Sequence, residues 1–487
     1  MIEVVDIARS VQLSDYEVVP GLGPTLTEVG NEARQAKKRL RARRVWLLSG
    51  DDARGVLVEN IPALVALLRA CGLDARWVKI MHSVPQAALH RRLKRLLLGD
   101  STLAASFDDS EVRGYSEAGE RTAQELAPLI DRRDLVIAHG LGCAASGAAL
   151  KRRCGMTALW RNQSGLDDRT PTTRAAWSFL KEHLTPYDRG LFTCAEYIPQ
   201  YFTNRASLLP PSIDPLADRN RTLSLHQVVG TLASAGLVES DQPSLARAFA
   251  EPVRRLNQRG ELRTAGEFGL LHRPVVTQIS RWDRLNGMLP LLEGFARLKR
   301  GQVQIDGADL DGRQRRRVQI VRLVMAGPAP DGFDDDTELN RDWNAVVEAY
   351  CALPAEIAAD VAVLALPMAS PVEHGLIINA LQRVSTLVVQ NSLSEAFGLG
   401  VAEAAYKGVP VLGTMASGIR LQIRHEIDGL LCDAPDDPEA VAHSLNTLLG
   451  DEEARPRYAQ SAQHRVLSEF LITGELRRLL RLLTELA

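Results

Sequence analysis

Residues 391–411 read N-S-L-S-E-A-F-G-L-G-V-A-E-A-A-Y-K-G-V-P-V, and this stretch decides the fold. It begins as a loop. Gly398 and Gly400 then open a helix that runs to about Lys407, stops at Gly408 and gives way to a strand at Val409–Leu412. Glycines at a helix N-terminus leave backbone N–H groups bare, and the helix dipole favours negative charge there, so a phosphate can approach closely. Glu395 precedes the glycines and Glu403 follows about one turn into the helix. Two carboxylates beside a phosphate site are unfavourable unless they accept hydrogen bonds from hydroxyl groups, such as those of a sugar and a ribose.

Outward from this stretch, short apolar runs alternate with amphipathic segments. VWLL (Val45–Leu48), RWVKIM (Arg76–Met81), LVIA (Leu135–Ala138) and LFTC (Leu191–Cys194) predict strands, with a helix at Ile61–Arg69. A second series follows: VVTQIS (Val275–Ser280), a helix at Leu289–Leu298, RLVM (Arg322–Met325), LVVQ (Leu387–Gln390) and VPVL (Val409–Leu412). Strands separated by helices mean βαβ units and parallel sheets. LPPSIDPL (Leu209–Leu216) carries three prolines, which disfavour helix, and marks a linker between two α/β halves. Two such halves predict a cleft, with ligands at the C-terminal ends of the strands. Residues 1–44 read as an N-terminal arm, 45–212 as a first domain and 213–465 as a second. Residues 466–487 read as a C-terminal helix packing back toward the first domain. Residues 301–317, polar and Gly-containing, read as a surface insertion.

Composition excludes several classes. The chain has 487 residues, 45% hydrophobic and 24% charged, enough for two or three soluble domains. Net charge is 58 − 60 = −2, so no global field recruits nucleic acid or an anionic membrane. The basic run KKRLRARR in residues 37–44 reads as part of a solvated arm. The longest apolar stretch, Val361–Ala369, is far short of the ~20 residues that span a bilayer. The N-terminus lacks the apolar core of a signal peptide. Six cysteines without C-x-x-C spacing argue against a zinc site or a disulfide framework and imply the cytoplasm. Asp334–Asp336 read as a solvated loop and His82, His272, His374 and His425 as structural, so no metal site is expected.

The full string, with S-x-x-E-x-F-G before E-x7-E and K-G-x-P-V after it, resembles the donor site of retaining glycosyltransferases with the GT-B fold. RPVVTQISRWDRLNG (273–287), LPPSIDPL (209–216), NALQR (379–383), SGIRLQIRHEIDGLL (417–431) and residues 46–80 are similar to the trehalose synthase branch of glycosyltransferase family 4. The resemblance spans roughly residues 45–470. It implies two Rossmann-like domains and a hexosyl transfer from an ADP-, UDP- or GDP-hexose, possible without a metal. A trehalose-type 1,1-linkage is the implied product, and a homodimer the implied assembly.

Carried over by position, Arg281 is the implied diphosphate arginine, and Glu395 the carboxylate facing the donor sugar. Glu403 is the implied ribose carboxylate, and the amides around Gly398, Leu399 and Gly400 the phosphate cradle. Ser392 matches the serine of the pattern, and His139 matches a family histidine. This chain also departs from the pattern. Asn286 stands where the family has a phosphate-binding lysine, leaving Arg54 or Arg284 to supply the charge. Asp52-Ala53-Arg54-Gly55-Val56 replaces a run of three glycines. Asn162 and Gln163 stand where the family has a histidine near the transferred sugar, and Gly140 replaces an aspartate. The acceptor side is therefore altered. An aminosugar or cyclitol is an alternative acceptor, which Asp51, Asp52, Asp167 and Asp168 would suit. A catalytically impaired protein that only binds nucleotide sugar is the other alternative.

Overall fold

Runs of Val, Leu, Ile and Ala that are buried on both faces build the central strands of two sheets. The computed structural model describes residues 1–7, 11–50, 56–166, 170–239, 249–301, 312–332 and 337–487. Arg54, Gly55, Asp51, Asp52, Asp167, Asp168 and Asp334–Asp336 lie outside the described residues, as do residues 302–311 of the expected insertion. The chain divides into two units, one of Met1–Asp214 with Leu467–Ala487 and one of Pro215–Val466.

In the first unit the described strands are β1 (Ile2–Val5), β2 (Arg44–Gly50), β3 (Asp74–Ile80), β4 (Leu135–His139), β5 (Thr157–Asn162), β6 (Arg189–Phe192) and β7 (Ala206–Leu208). Their order is β1-β3-β2-β4-β5-β6-β7. All neighbours are parallel except β1, which runs antiparallel to β3 with Ile2 opposite Ile80. The expected arm is thus built into the unit. Met1 and β1 close the sheet edge, and the basic run ends a helix, Gly23–Arg39, that buries Val29, Ala33 and Ala36. The sequence IEVV is too short and too charged to announce itself as a strand; β3's open edge makes it one.

The second unit holds β8 (Arg254–Leu256), β9 (Leu262–Thr264), β10 (Val275–Ile279), β11 (Arg322–Pro328), β12 (Val361–Leu366), β13 (Leu387–Val389), β14 (Val411–Thr414) and β15 (Leu430–Cys432). The order is β15-β14-β13-β10-β11-β12-β8-β9. A period of two assigns each residue to a face. Leu323 and Met325 of β11 with Val361 and Val363 of β12 pack under Leu291, Leu292 and Phe295 of the helix Met288–Lys299. Val324, Ala326, Ala362 and Leu364 face Ile377, Ile378 and Leu381 of the helix Pro371–Val384. β14 starts after Pro410 rather than at Val409, because Pro410 has no N–H for the ladder; its carbonyl still accepts from Val388 N at 2.9 Å. Strand order reverses between β10 and β13, and the loops that leave their C-terminal ends are 280–287 and 390–398. In doubly wound sheets that reversal is where ligands bind.

The C-terminal helix Ile472–Glu485 completes the first unit. Ile213 N donates to Phe470 O at 2.8 Å and Ile472 N to Ile213 O at 3.0 Å. The Arg161 guanidinium at the end of β5 meets Glu475 at 2.6 Å, and Ser212 Oγ donates to the same carboxylate. Side chains of both ions are 4% exposed or less. A buried carboxylate left without its cation costs far more than the intact pair contributes. Arg161→Met should therefore destabilise the first unit by about 3–5 kcal/mol, and Arg161→Met with Glu475→Leu should recover much of it. Urea unfolding followed by tryptophan fluorescence checks this; equal losses in the single and double variants would contradict it.

Candidate functional site

The chain leaves β13 through Gln390, Asn391 and Ser392, all buried, and enters the helix Leu399–Tyr406 by way of Gly398. Gly398 is the N-cap and has φ +79°, a left-handed backbone that L side chains rarely adopt. A Cβ there would also lie 3.1 Å from Glu395 Cγ. Leu399 and Gly400 are partly exposed, so the first-turn amides of this eight-residue helix sit at the surface of the switch point. The carbonyls of this turn are drawn inward. Gln422 Nε2 donates to Phe397 O and, at 3.2 Å, to Gly398 O. Gly418 lets its helix approach, since a Cβ there would stand 2.4 Å from Phe397 N.

Glu395 is partly exposed and its two oxygens are steered from below. Phe397 N donates to one at 3.4 Å and Ser392 Oγ to the other at 3.4 Å. Ser392 Oγ in turn accepts from Gln390 Nε2 at 2.9 Å. Ser392 is fully buried, which places it behind Glu395 as its support.

The second loop comes from β10. Arg281 is 56% exposed and its guanidinium meets Asp283 at 3.0 Å. Arg284 N donates to the buried Asp342 at 2.9 Å, capping the turn Arg284–Asn286. Asn286, where the resemblance places a lysine, is buried, only 6% exposed. A clasp stitches this loop to the first. Gln278 Nε2 donates to Asn286 O at 2.7 Å while Gln278 Oε1 accepts from Asn391 N at 2.9 Å. Asn391 Nδ2 donates to Gly287 O at 3.2 Å and Pro435 O at 2.9 Å, and Leu393 N to Leu285 O at 2.8 Å. Gly287 has φ +61°, and a Cβ would fall 1.9 Å from Asn391 O. Gln278, Asn391 and Gln422 were missed in the sequence reading. Polar residues inside apolar strands and loops were the available signal, since a buried amide must find partners.

Glu403 is buried at 3%, with Oε1 at 3.3 Å from Arg219 Nε. In the first unit His139 ends β4 and is 2% exposed, and neither ring nitrogen has a hydrogen-bond partner among the described residues. Burial first, and the Arg161 charge second, hold its pKa well below the ordinary histidine value, so it is neutral at pH 7. Asn162 is committed to its own turn, accepting from Ser164 N at 3.2 Å. Gln163 keeps a buried Nε2 without a partner among the described residues. Among the described residues no group of three or more His, Cys, Asp or Glu could hold a metal ion, and no helix is long and apolar enough to cross a membrane.

Residues 368–465 match the family Glycosyl transferases group 1, and residues 53–199 match Trehalose synthase, N-terminal domain. The chain is 26% identical over 476 residues to trehalose synthase of Pyrococcus horikoshii, covering 98% of this chain and 96% of that one. Among solved structures it superposes on the UDP-forming alpha,alpha-trehalose-phosphate synthase of Burkholderia xenovorans in complex with glucose-6-phosphate. The TM-score is 0.66 at 13% identity, covering 91% of this chain and 100% of that chain. It also superposes on the E. coli trehalose-6-phosphate protein bound with UDP-2-fluoro glucose, with TM-score 0.65, 13% identity and 91% and 99% coverage.

Gly287→Ala should destabilise the second unit by at least about 3 kcal/mol, because overlap with Asn391 O forces the two loops apart. Thermal unfolding checks this; an unchanged midpoint would show that the loops part freely.

Proposed function

We infer that this chain, a glycosyltransferase of the trehalose synthase type with the GT-B fold, moves a hexosyl group from a nucleotide diphosphate sugar to a sugar hydroxyl with retention. The observation that carries the site is the glycine-opened helix at the β10–β13 switch point with two differently buried carboxylates beside it. The amides of Leu399 and Gly400, with the half-exposed Arg281, take the diphosphate. They are in place before the bond breaks, so charge on the leaving phosphate meets oriented donors. On this reading no divalent cation is needed at that step. Glu395, steered by Ser392 and the Phe397 amide, accepts from hydroxyls of the donor sugar. Glu403 accepts from the ribose.

Retention without a protein nucleophile calls for attack on the face the phosphate leaves. The bond from the anomeric carbon to phosphate oxygen breaks as the acceptor oxygen bonds to that carbon, and the leaving phosphate takes the acceptor's proton. The neutral His139, buried and without a hydrogen-bond partner among the described residues, is the first unit's candidate for a sugar hydroxyl. The relatives' ligands, UDP-2-fluoro glucose and glucose-6-phosphate, support a glucosyl nucleotide as donor and a hexose as acceptor, with a trehalose-type linkage formed between them.

Arg281→Ala should weaken binding of the nucleoside diphosphate by about 1.5–3 kcal/mol in calorimetry. Glu395→Ala should lower trehalose formation by at least about tenfold through lost donor-sugar contacts. Unchanged turnover in both variants would contradict the assignment of this site.

A further inference from the structure

Glu403 has to accept from ribose hydroxyls, and for that it must stay ionised although it is 3% exposed. A buried carboxylate stays charged only when cations and hydrogen bonds replace water. Two cations stand around it. Arg219 Nε lies 3.3 Å from its Oε1, and Lys407 follows one turn later on the same helix. Lys407 Nζ donates to Glu403 O at 3.2 Å, to Gln382 Oε1 at 2.8 Å and to Asn220 Oδ1 at 3.1 Å, so all three ammonium hydrogens are used.

Arg219 and Asn220 belong to the first residues of the second unit, and that segment is pinned from the other side. Asn379 Nδ2 donates to Asp218 O at 2.8 Å and to Arg221 O at 2.9 Å, and Gly375 allows a close approach at Arg219 N. Nothing in the transfer chemistry requires Arg219, Asn220 or Lys407 to touch a substrate, yet Arg219 pairs with the Glu403 carboxylate, and Lys407, held by Asn220, bonds the Glu403 main-chain carbonyl.

We propose that Arg219 and Lys407 are positioning residues that hold Glu403 ionised and oriented, so that the site's preference for ribose depends on the 215–221 segment. The proposal rests on Glu403 being the ribose acceptor. Charge near Lys407 is balanced between Glu403 on its own helix, Arg383 on the helix Pro371–Val384 and Arg219 on the 215–221 segment. Burial pushes the Lys407 pKa down to about 7, with Glu403 resisting and the two arginines adding to the fall. The ammonium is therefore lost as pH rises through about 7, and ribose preference should fall over the same range.

The test is the ratio of Kd values for 2′,3′-dideoxy and ordinary nucleoside diphosphates, measured for the ADP, UDP and GDP pairs on the full chain. The wild-type protein should favour the ribonucleotide by roughly tenfold or more. Glu403→Gln should collapse the ratio. Arg219→Gln and Lys407→Met should each lower it by at least about threefold while leaving the dideoxy Kd nearly unchanged, and Arg219→Lys should restore most of it. A purely structural role would weaken both ligands alike. The wild-type ratio should decline with pH and that of Lys407→Met should be flat. Should Lys407→Met fail to fold, Arg219→Gln decides alone, because Arg219 is 24% exposed and its replacement leaves no cavity in the core. Collapse in Glu403→Gln with an unchanged ratio in Arg219→Gln overturns this proposal and leaves the ribose role of Glu403 standing. An unchanged ratio in Glu403→Gln overturns both.

Discussion

The close approach of two backbone loops at the β10–β13 switch point is the constraint on which the proposed donor site depends. It exists because Cβ atoms are missing where the chains meet: Gly287 against Asn391 O, Gly418 against Phe397, and Gly398 in a left-handed turn over Glu395. Gln278 then bridges the loops from inside the sheet, and Gln422 consumes the carbonyls of the turn. The result is a helix N-terminus whose amides face outward while its carbonyls are satisfied inward. An anion site made of backbone needs this kind of fixed scaffold, because its donors have no rotamers with which to search.

Charge is handled by the same economy in both units. Glu403 lies against the partly exposed Arg219, and Glu475 against the buried Arg161, each carboxylate buried and each pair reinforced by further hydrogen bonds to one of its members. Desolvation makes such pairs weak sources of stability but strong arbiters of geometry, since neither member can leave without exposing the other. In the first unit the pair fixes the C-terminal helix beside the end of β5. In the second it fixes the buried carboxylate of the helix Leu399–Tyr406. The exposed Arg281, by contrast, pairs with Asp283 on its own loop, a surface contact a ligand can displace.

Much of this was legible in the sequence where one residue type has one physical job. Apolar runs announced β2, β4, β10, β11 and β13, and the glycines of 398–400 announced a helix start. β5 went unread because TALWRN ends in two polar residues, whose partners, Glu475 and Ser164, are visible only in three dimensions. The β8–β9 hairpin has no apolar alternation at all; it forms as an antiparallel edge on β12. Asn286 stands where the resemblance places a phosphate-binding lysine, and its burial in the turn Arg284–Asn286 is visible only in three dimensions. Lys407 and Asn220 are 187 residues apart, and no local pattern links them.

The most direct test of the account is a crystal structure with a nucleoside diphosphate hexose bound. The account requires diphosphate oxygens within about 3 Å of the Leu399 and Gly400 amides, with a hexose hydroxyl on Glu395. A diphosphate bound elsewhere, with the 398–400 turn unoccupied, would contradict it.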